Sequence, residues 1–130
     1  MARTRLADLA LDTGIYNDHL TTCYMLCVGL PVITRLGRHF ASCVSASLLK
    51  AAGLPELMTE SWPAFVALGM QLADDRSLFA LYRNPLADGR KSAPLFDTAR
   101  SVRVMEHGFE EIWRRYLDGE APARIDIPDR

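Results

Sequence analysis

Cysteine is scarce, and the three present, Cys23, Cys27 and Cys43, form an odd set without a CxxC pair. No disulfide framework is indicated, and the usage fits a reducing, cytosolic compartment. Charge of one sign is lacking too, with 15 Lys plus Arg against 16 Asp plus Glu. A chain so balanced has no strong electrostatic footprint for nucleic acid or for an anionic membrane surface. No apolar run reaches membrane-spanning length, and the opening MARTRLADLALD carries an acid by its eighth residue, so neither membrane insertion nor secretion is expected. GxGxxG and HExxH are absent, as are internal repeats and low-complexity tracts. What is present is ordinary globular material, 49% hydrophobic and 24% charged over 130 residues. That is enough for one compact domain, which should bury roughly two thirds of the surface its unfolded form exposes.

The first half reads as two strand-then-helix units. Leu6 to Leu11 (LADLAL) is nearly continuous apolar sequence, as expected of a strand covered on both faces. Asp12-Thr13-Gly14 punctuates it, and a loop through Asn17 and Asp18 leads to a helix over about Leu20 to Val28, ended by Gly29. Leu30 to Thr34 (LPVIT) is a second strand, Gly37 breaks it, and a second helix runs from about His39 to Ala52. The second half is helical. Ser61 caps a helix with Pro63 in its first turn, Asp74 or Asp75 starts another, and the last begins near Asp97-Thr98. Val102, Met105, Phe109, Ile112 or Trp113, and Tyr116 give this last helix one wide apolar stripe. The organisation expected is therefore a partial Rossmann-like segment over 1–58, a helical segment over 59–118 and a loose tail over 119–130.

Two short parallel strands are all the sheet this reading finds, because Leu54 to Met58 is short and contains a proline. Parallel sheets seldom stand as pairs, and a bare pair leaves edges open to water or to another chain. The fold class is thus α/β with an incomplete sheet, expected to continue in polypeptide outside these residues. Self-association through the open edge is the alternative.

The first helix start, Asn17-Asp18-His19-Leu20-Thr21-Thr22, lies where a parallel strand delivers free backbone N–H groups and a helix dipole, a place suited to a phosphate. Thr21 and Thr22 add hydroxyls and His19 a ring nitrogen; helix capping is the plainer role for the threonines. Gly37-Arg38-His39 repeats the logic with a weaker signal, Arg38 reading as a solvated charge. His19, Cys23 and Cys27 at i, i+4 and i+8 invite a metal, but eight helical residues span about 12 Å, too far for one ion, so the cysteines read as small buried residues. His107 beside Glu106 and Glu110 reads as a surface ion pair, and Trp62, Trp113 and the methionines as core. No nucleophile–base arrangement emerges, so no catalytic residue is named.

Longer strings carry a resemblance. LADLALDT, NDHLTT, VGLPVITRLGRHFASCVSASLLKAAGLPELM, and SAPLFDTAR with EIWRRYLDG resemble the C-terminal catalytic region of the O-linked N-acetylglucosamine transferases and SPINDLY-type proteins of glycosyltransferase family 41, over Met1 to about Pro122. The resemblance implies a GT-B fold, of which these residues would be the last part of the C-terminal, donor-binding lobe and the helices closing it. It implies transfer of N-acetylglucosamine from a UDP donor to Ser or Thr of an acceptor protein, without a metal or other cofactor.

Residue by residue, the resemblance places Arg3 on an arginine near the donor base, and His19, Leu20 and Thr21 on a His-Thr-Thr phosphate-binding pattern. Thr22 joins them as part of a TTC string like that of the plant branch, which is linked to GDP-fucose. An acidic residue that holds the ribose is Tyr24 here, and an arginine of the family's ASRVAAS string is Cys43. The nucleotide-sugar site expected is therefore Arg3, His19, Leu20, Thr21 and Thr22. The isolated chain is expected to be inactive without the rest of the fold; a non-catalytic remnant or interaction module is the alternative.

Overall fold

The computed structural model describes residues 3–88 and 93–128, with the side chains of Arg3 and Arg5 outside the description. Contacts divide the chain into two compact units, Met1–Phe96 and Asp97–Arg130.

The first unit is built on three parallel strands in the order β1 (Ala10–Leu11), β2 (Val32–Arg35), β3 (Met58–Thr59). Ala10 pairs with Val32 and Leu11 with Ile33, while Thr34 pairs with Met58 and Arg35 with Thr59. Around them lie α1 (His19–Cys27), α2 (Val44–Ala51), α3 (Trp62–Asp74) and α4 (Arg76–Asp88). The central strand is the most buried: Val32 and Ile33 are sealed from solvent and pack with Leu26, Leu49, Leu57, Phe65, Leu72 and Leu86. Burial on both faces explains why LPVIT reads as an uninterrupted apolar run.

Three local outcomes differ from the sequence expectation. The first strand is shorter than Leu6–Leu11, because Arg3–Leu6 winds into a 3-10 turn and only Ala10–Leu11 enters the ladder. Asp8 breaks the apolar run: it stands in solvent, 3.7 Å from the Arg83 guanidinium. The sheet has a third strand, since Pro55–Leu57 forms a 3-10 turn and pairing begins only after it. The proline therefore removes no ladder donor. The Thr59 hydroxyl donates to the Thr34 carbonyl at 3.1 Å, tying the short strand in place. Finally, the helix expected over His39–Ala52 is split into a 3-10 turn, Phe40–Ser42, and α2. The Ser42 hydroxyl lies 2.9 Å from His39 Nδ1 and donates to the His39 carbonyl at 3.0 Å, a local closure that competes with helix. The turn folds so tightly on Gly37 that a Cβ there would sit 1.9 Å from Ser42 Oγ.

The helix starts of the second half follow the expected chemistry. Ser61 Oγ accepts from the Ala64 amide at 3.3 Å, with Pro63 in the first turn of α3. Asp75 accepts from the amides of Ser77 and Leu78 at 2.9 and 3.0 Å and from the Ser77 hydroxyl at 2.5 Å, bonds that hold its carboxyl below the usual range. No described helix is long and apolar enough to cross a membrane.

The second unit is one long helix, α5 (Thr98–Leu117), and the extended segment after it. Asp97 caps it, accepting from the Arg100 amide at 2.8 Å. Glu111 bonds Arg114 and Arg115, and Arg114 also reaches Asp118 at 2.8 Å. The stripe expected from Val102 to Tyr116 is continuous but exposed, so Met105 and Trp113 are not core residues. His107 Nδ1 lies 3.9 Å from Glu110, the surface pair the sequence indicated.

Candidate functional site

The site is assembled where β1 runs out and α1 begins. A parallel strand ends there with its next polar residue, Asp12, still inside the fold and only 9% exposed. Its carboxylate accepts from the Thr13 amide at 2.9 Å, from the Asp18 amide at 3.1 Å and from the Thr34 hydroxyl at 2.7 Å. One side chain thus fixes both ends of the connecting loop against the central strand. Asn17, fully buried, does the same work toward α2. Its amide nitrogen donates to the Thr13 carbonyl at 3.0 Å and its carbonyl oxygen accepts from the Ser45 amide at 3.3 Å, while its backbone N–H donates to Ala41 at 2.7 Å. The Thr13 hydroxyl donates to the Tyr16 carbonyl within the loop.

The other flank of the loop is closed by Arg35 and Trp62. Arg35 Nη2 donates to the Gly14 carbonyl at 3.2 Å, and its guanidinium lies 4.9 Å from the centre of the Trp62 ring. Gly14 packs so closely on that indole that a Cβ would come within 2.2 Å of it. Trp62 is therefore a half-exposed wall beside the loop, and not the core residue its composition suggested.

The mouth so framed leaves backbone donors unspent. Asp18 occupies the N-cap position of α1 but makes no side-chain cap bond. The first intrahelical amide bond is that of Thr22 to the Asp18 carbonyl at 2.9 Å, so the first-turn N–H groups before it point forward with the positive end of the dipole. His19 is the first helical residue. Its ring stacks on Tyr16 (centroids 4.9 Å apart, planes at 17°) and meets the edge of Phe40 at 5.8 Å. Its Nε2 is buried without a hydrogen-bond partner among the described residues, an arrangement that costs free energy unless a further group satisfies it.

The sequence-derived site residues are thus distributed unequally. His19, Leu20 and Thr21 share the first turn of α1, with Leu20 and Thr21 exposed at the mouth. Thr22 is turned inward, 1% exposed, and its hydroxyl shares a 3.1 Å hydrogen bond with Ser45 of α2. Successive helical residues diverge by about 100°, which is why adjacent threonines face solvent and core. Neither threonine caps the helix. Arg3 belongs to the N-terminal 3-10 turn, and its side chain lies outside the described residues. Tyr24, where the family pattern has an acid, is 44% exposed. Cys23, Cys27 and Cys43 are partly buried and not joined by disulfides. At the second helix start the side chains of His39 and Ser42 bond each other, as a capping box, and Arg38 is exposed.

Sequence reasoning placed Asn17 at this helix start without its buried anchoring role, and missed Asp12, Arg35 and Trp62 as parts of the candidate site. A carboxylate directly after an apolar strand was the available signal for Asp12, and it was read as loop punctuation.

Comparisons with known proteins bear on the family and the fold. The sequence pattern of glycosyl transferase family 41 matches residues 1–105. A probable UDP-N-acetylglucosamine–peptide N-acetylglucosaminyltransferase, SPINDLY, of Petunia hybrida is 36% identical over 118 residues, 91% of this chain and 13% of that protein. The UDP-N-acetylglucosamine–peptide N-acetylglucosaminyltransferase of Caenorhabditis elegans is 34% identical over 117 residues, 90% of this chain and 10% of its own length. Among solved structures, a mutant O-GlcNAc transferase of Thermobaculum terrenum superposes with a TM-score of 0.85 at 28% identity, over 92% of this chain and 23% of that one. The chain thus spans only a small fraction of the relatives it matches, and the parallel sheet with its helices corresponds to part of their fold. It belongs to glycosyl transferase family 41.

Proposed function

We propose that these residues form the nucleotide-sugar-binding part of a protein O-glycosyltransferase, with UDP-N-acetylglucosamine as donor and Ser or Thr of an acceptor protein as receiver. The observation that carries this reading is the mouth of α1, where uncapped amides, the exposed Thr21 and the partnerless Nε2 of His19 adjoin one another in the chain. N–H donors at a helix start hold phosphate through both hydrogen bonds and the dipole, and the reading calls for no metal ion. The names of the relatives support the choice of donor and acceptor. Leu20 enters this site through its backbone N–H. Thr22, with its amide and hydroxyl already bonded to Asp18 and Ser45, supports it from the inner side of α1. Arg3 is assigned to the base by resemblance. Three thiols outside any disulfide suit a cytosolic setting.

Binding the donor is distinct from transferring its sugar. Placing an acceptor hydroxyl for attack, and excluding water while it attacks, needs a second wall to the cleft. We therefore assign donor binding to these 130 residues and transfer to a longer polypeptide. Titration of UDP into the 15N-labelled chain tests the first part: the amides of His19 to Thr21 are expected to shift at millimolar ligand. Unmoved amides would remove the proposal. Sugar transfer by the 130 residues alone would contradict the second part.

A non-catalytic binding or interaction module is the second reading, favoured by Leu20, which presents an aliphatic chain to solvent at a position where the family pattern has threonine. It predicts UDP binding without transfer in the longer polypeptide as well.

A further inference from the structure

Arg35 stands out among the cations of the first unit because its surroundings do not account for its charge. It is the last residue of β2, at the carboxyl end of the sheet, and it is only partly exposed. One nitrogen, Nη2, bonds the Gly14 carbonyl, and the guanidinium carbon lies over the Trp62 ring, 4.9 Å from its centre. Nε is buried without a partner, and among the described residues the side chain forms no ion pair. Arg83 has a carboxylate within 4 Å, and Arg38 and Arg76, for which no ion pair is seen among the described residues, are exposed to water, whereas Arg35 is partly withdrawn from it. Withdrawing a cation from water without a counter-charge is unfavourable, and such unpaired charges concentrate where a ligand supplies the missing partner.

We propose that Arg35 is an anion-binding residue of the β1–α1 mouth, its guanidinium held by the Gly14 carbonyl and over the Trp62 ring so that the remaining Nη N–H groups bind the diphosphate of the nucleotide sugar. The inference rests on the donor-binding reading above and adds a residue that the sequence patterns did not mark. Its geometry has a clear logic. The contact with Trp62 restricts a long side chain, and the bond to Gly14 ties the charge to the loop that leads into α1. A planar, fixed fork is better suited to phosphate oxygens than a mobile ammonium. The same bond makes Arg35 a strut of the loop, so charge and strut must be separated experimentally.

The test uses the 130-residue chain, amide spectra as the check on folding, and three probes: UDP, inorganic pyrophosphate and uridine. Arg35→Gln, which removes the charge, is expected to weaken UDP and pyrophosphate about tenfold, and to leave any uridine response unchanged. Arg35→Lys keeps the charge without the fork and is expected to retain most of the pyrophosphate affinity. Equal UDP affinity in wild type and Arg35→Gln would overturn the inference while leaving the donor site standing. A loss shared equally by UDP and uridine would reduce Arg35 to a strut and overturn its anion role. Wild-type amides unmoved by UDP and pyrophosphate would overturn the donor reading itself, and this inference with it. Should Arg35→Gln not fold, Arg35→Lys decides: pyrophosphate binding that survives and weakens with added salt supports the inference, and its complete loss in a folded chain overturns it.

Discussion

The loop between β1 and α1 and the helix α5 solve the same problem, satisfying polar groups, in opposite ways. The loop is anchored by buried polar side chains: its Asp12 and Asn17, together with Thr22 of α1, Thr34 of β2 and Ser45 of α2, are all buried, and each has a partner far away in sequence. In α5 the cap bond of Asp97 with Arg100 and the bonds of Glu111 with Arg114 and Arg115 are local, and no residue of the helix is fully buried. Buried polar networks are strong only when every member is satisfied, whereas surface pairs contribute little each. The loop is therefore specified by tertiary structure and should fail as a unit. The helix is specified by its own sequence and should fade gradually.

The sharpest way to break this contrast is Asp12→Ala. It leaves the buried Thr34 hydroxyl and the part-buried Thr13 and Asp18 amides without their acceptor and is expected to cost about 2–4 kcal/mol of stability. Urea unfolding reads this directly, and a loss below about 1 kcal/mol would show that the carboxylate is not the centre of the network. Gly14→Ala comes next, since the added methyl meets the Trp62 ring. A cost of about 1–3 kcal/mol is expected, with indole fluorescence changing as the ring is displaced. At α5, Asp97→Ala removes one cap bond for about 1 kcal/mol, and helical dichroism should fall without loss of the sheet signals. The smallest effect is a pH dependence. Bonds from Arg114 and Arg115 hold the Glu111 carboxyl down at about 2, so its contribution is complete above the ordinary glutamate value and is lost as pH falls toward 2. The helical signal should decline in that acid range, and Glu111→Gln should remove that part of the decline.

Legibility in the sequence followed the same divide. The starts at Ser61, Asp75 and Asp97 were visible because a cap is a matter of three or four adjacent residues. The strand Met58–Thr59 was not, because two residues carry no periodicity and their pairing with Thr34 and Arg35 spans more than twenty positions. The place of His19 and Thr21 in the first turn of α1 was legible because they begin a helix after a strand. Thr22 looked equivalent to Thr21 on paper and faces Ser45 in the fold, a distinction set by helical phase alone. The exposed stripe of α5 was recognised as apolar, but an amphipathic pattern states only that a face prefers burial. It does not state what covers that face.

The stitches that hold Asp12 to Thr34 and Asn17 to Ser45 also set an order of events during synthesis. A nascent chain that has emerged only as far as residue 30 contains every letter of the α1 mouth but neither Thr34 nor Ser45, which hold it in place. The mouth takes shape when β2 and the start of α2 arrive behind it, so an excised peptide carrying His19 to Thr22 is a spelling of the candidate site without its meaning.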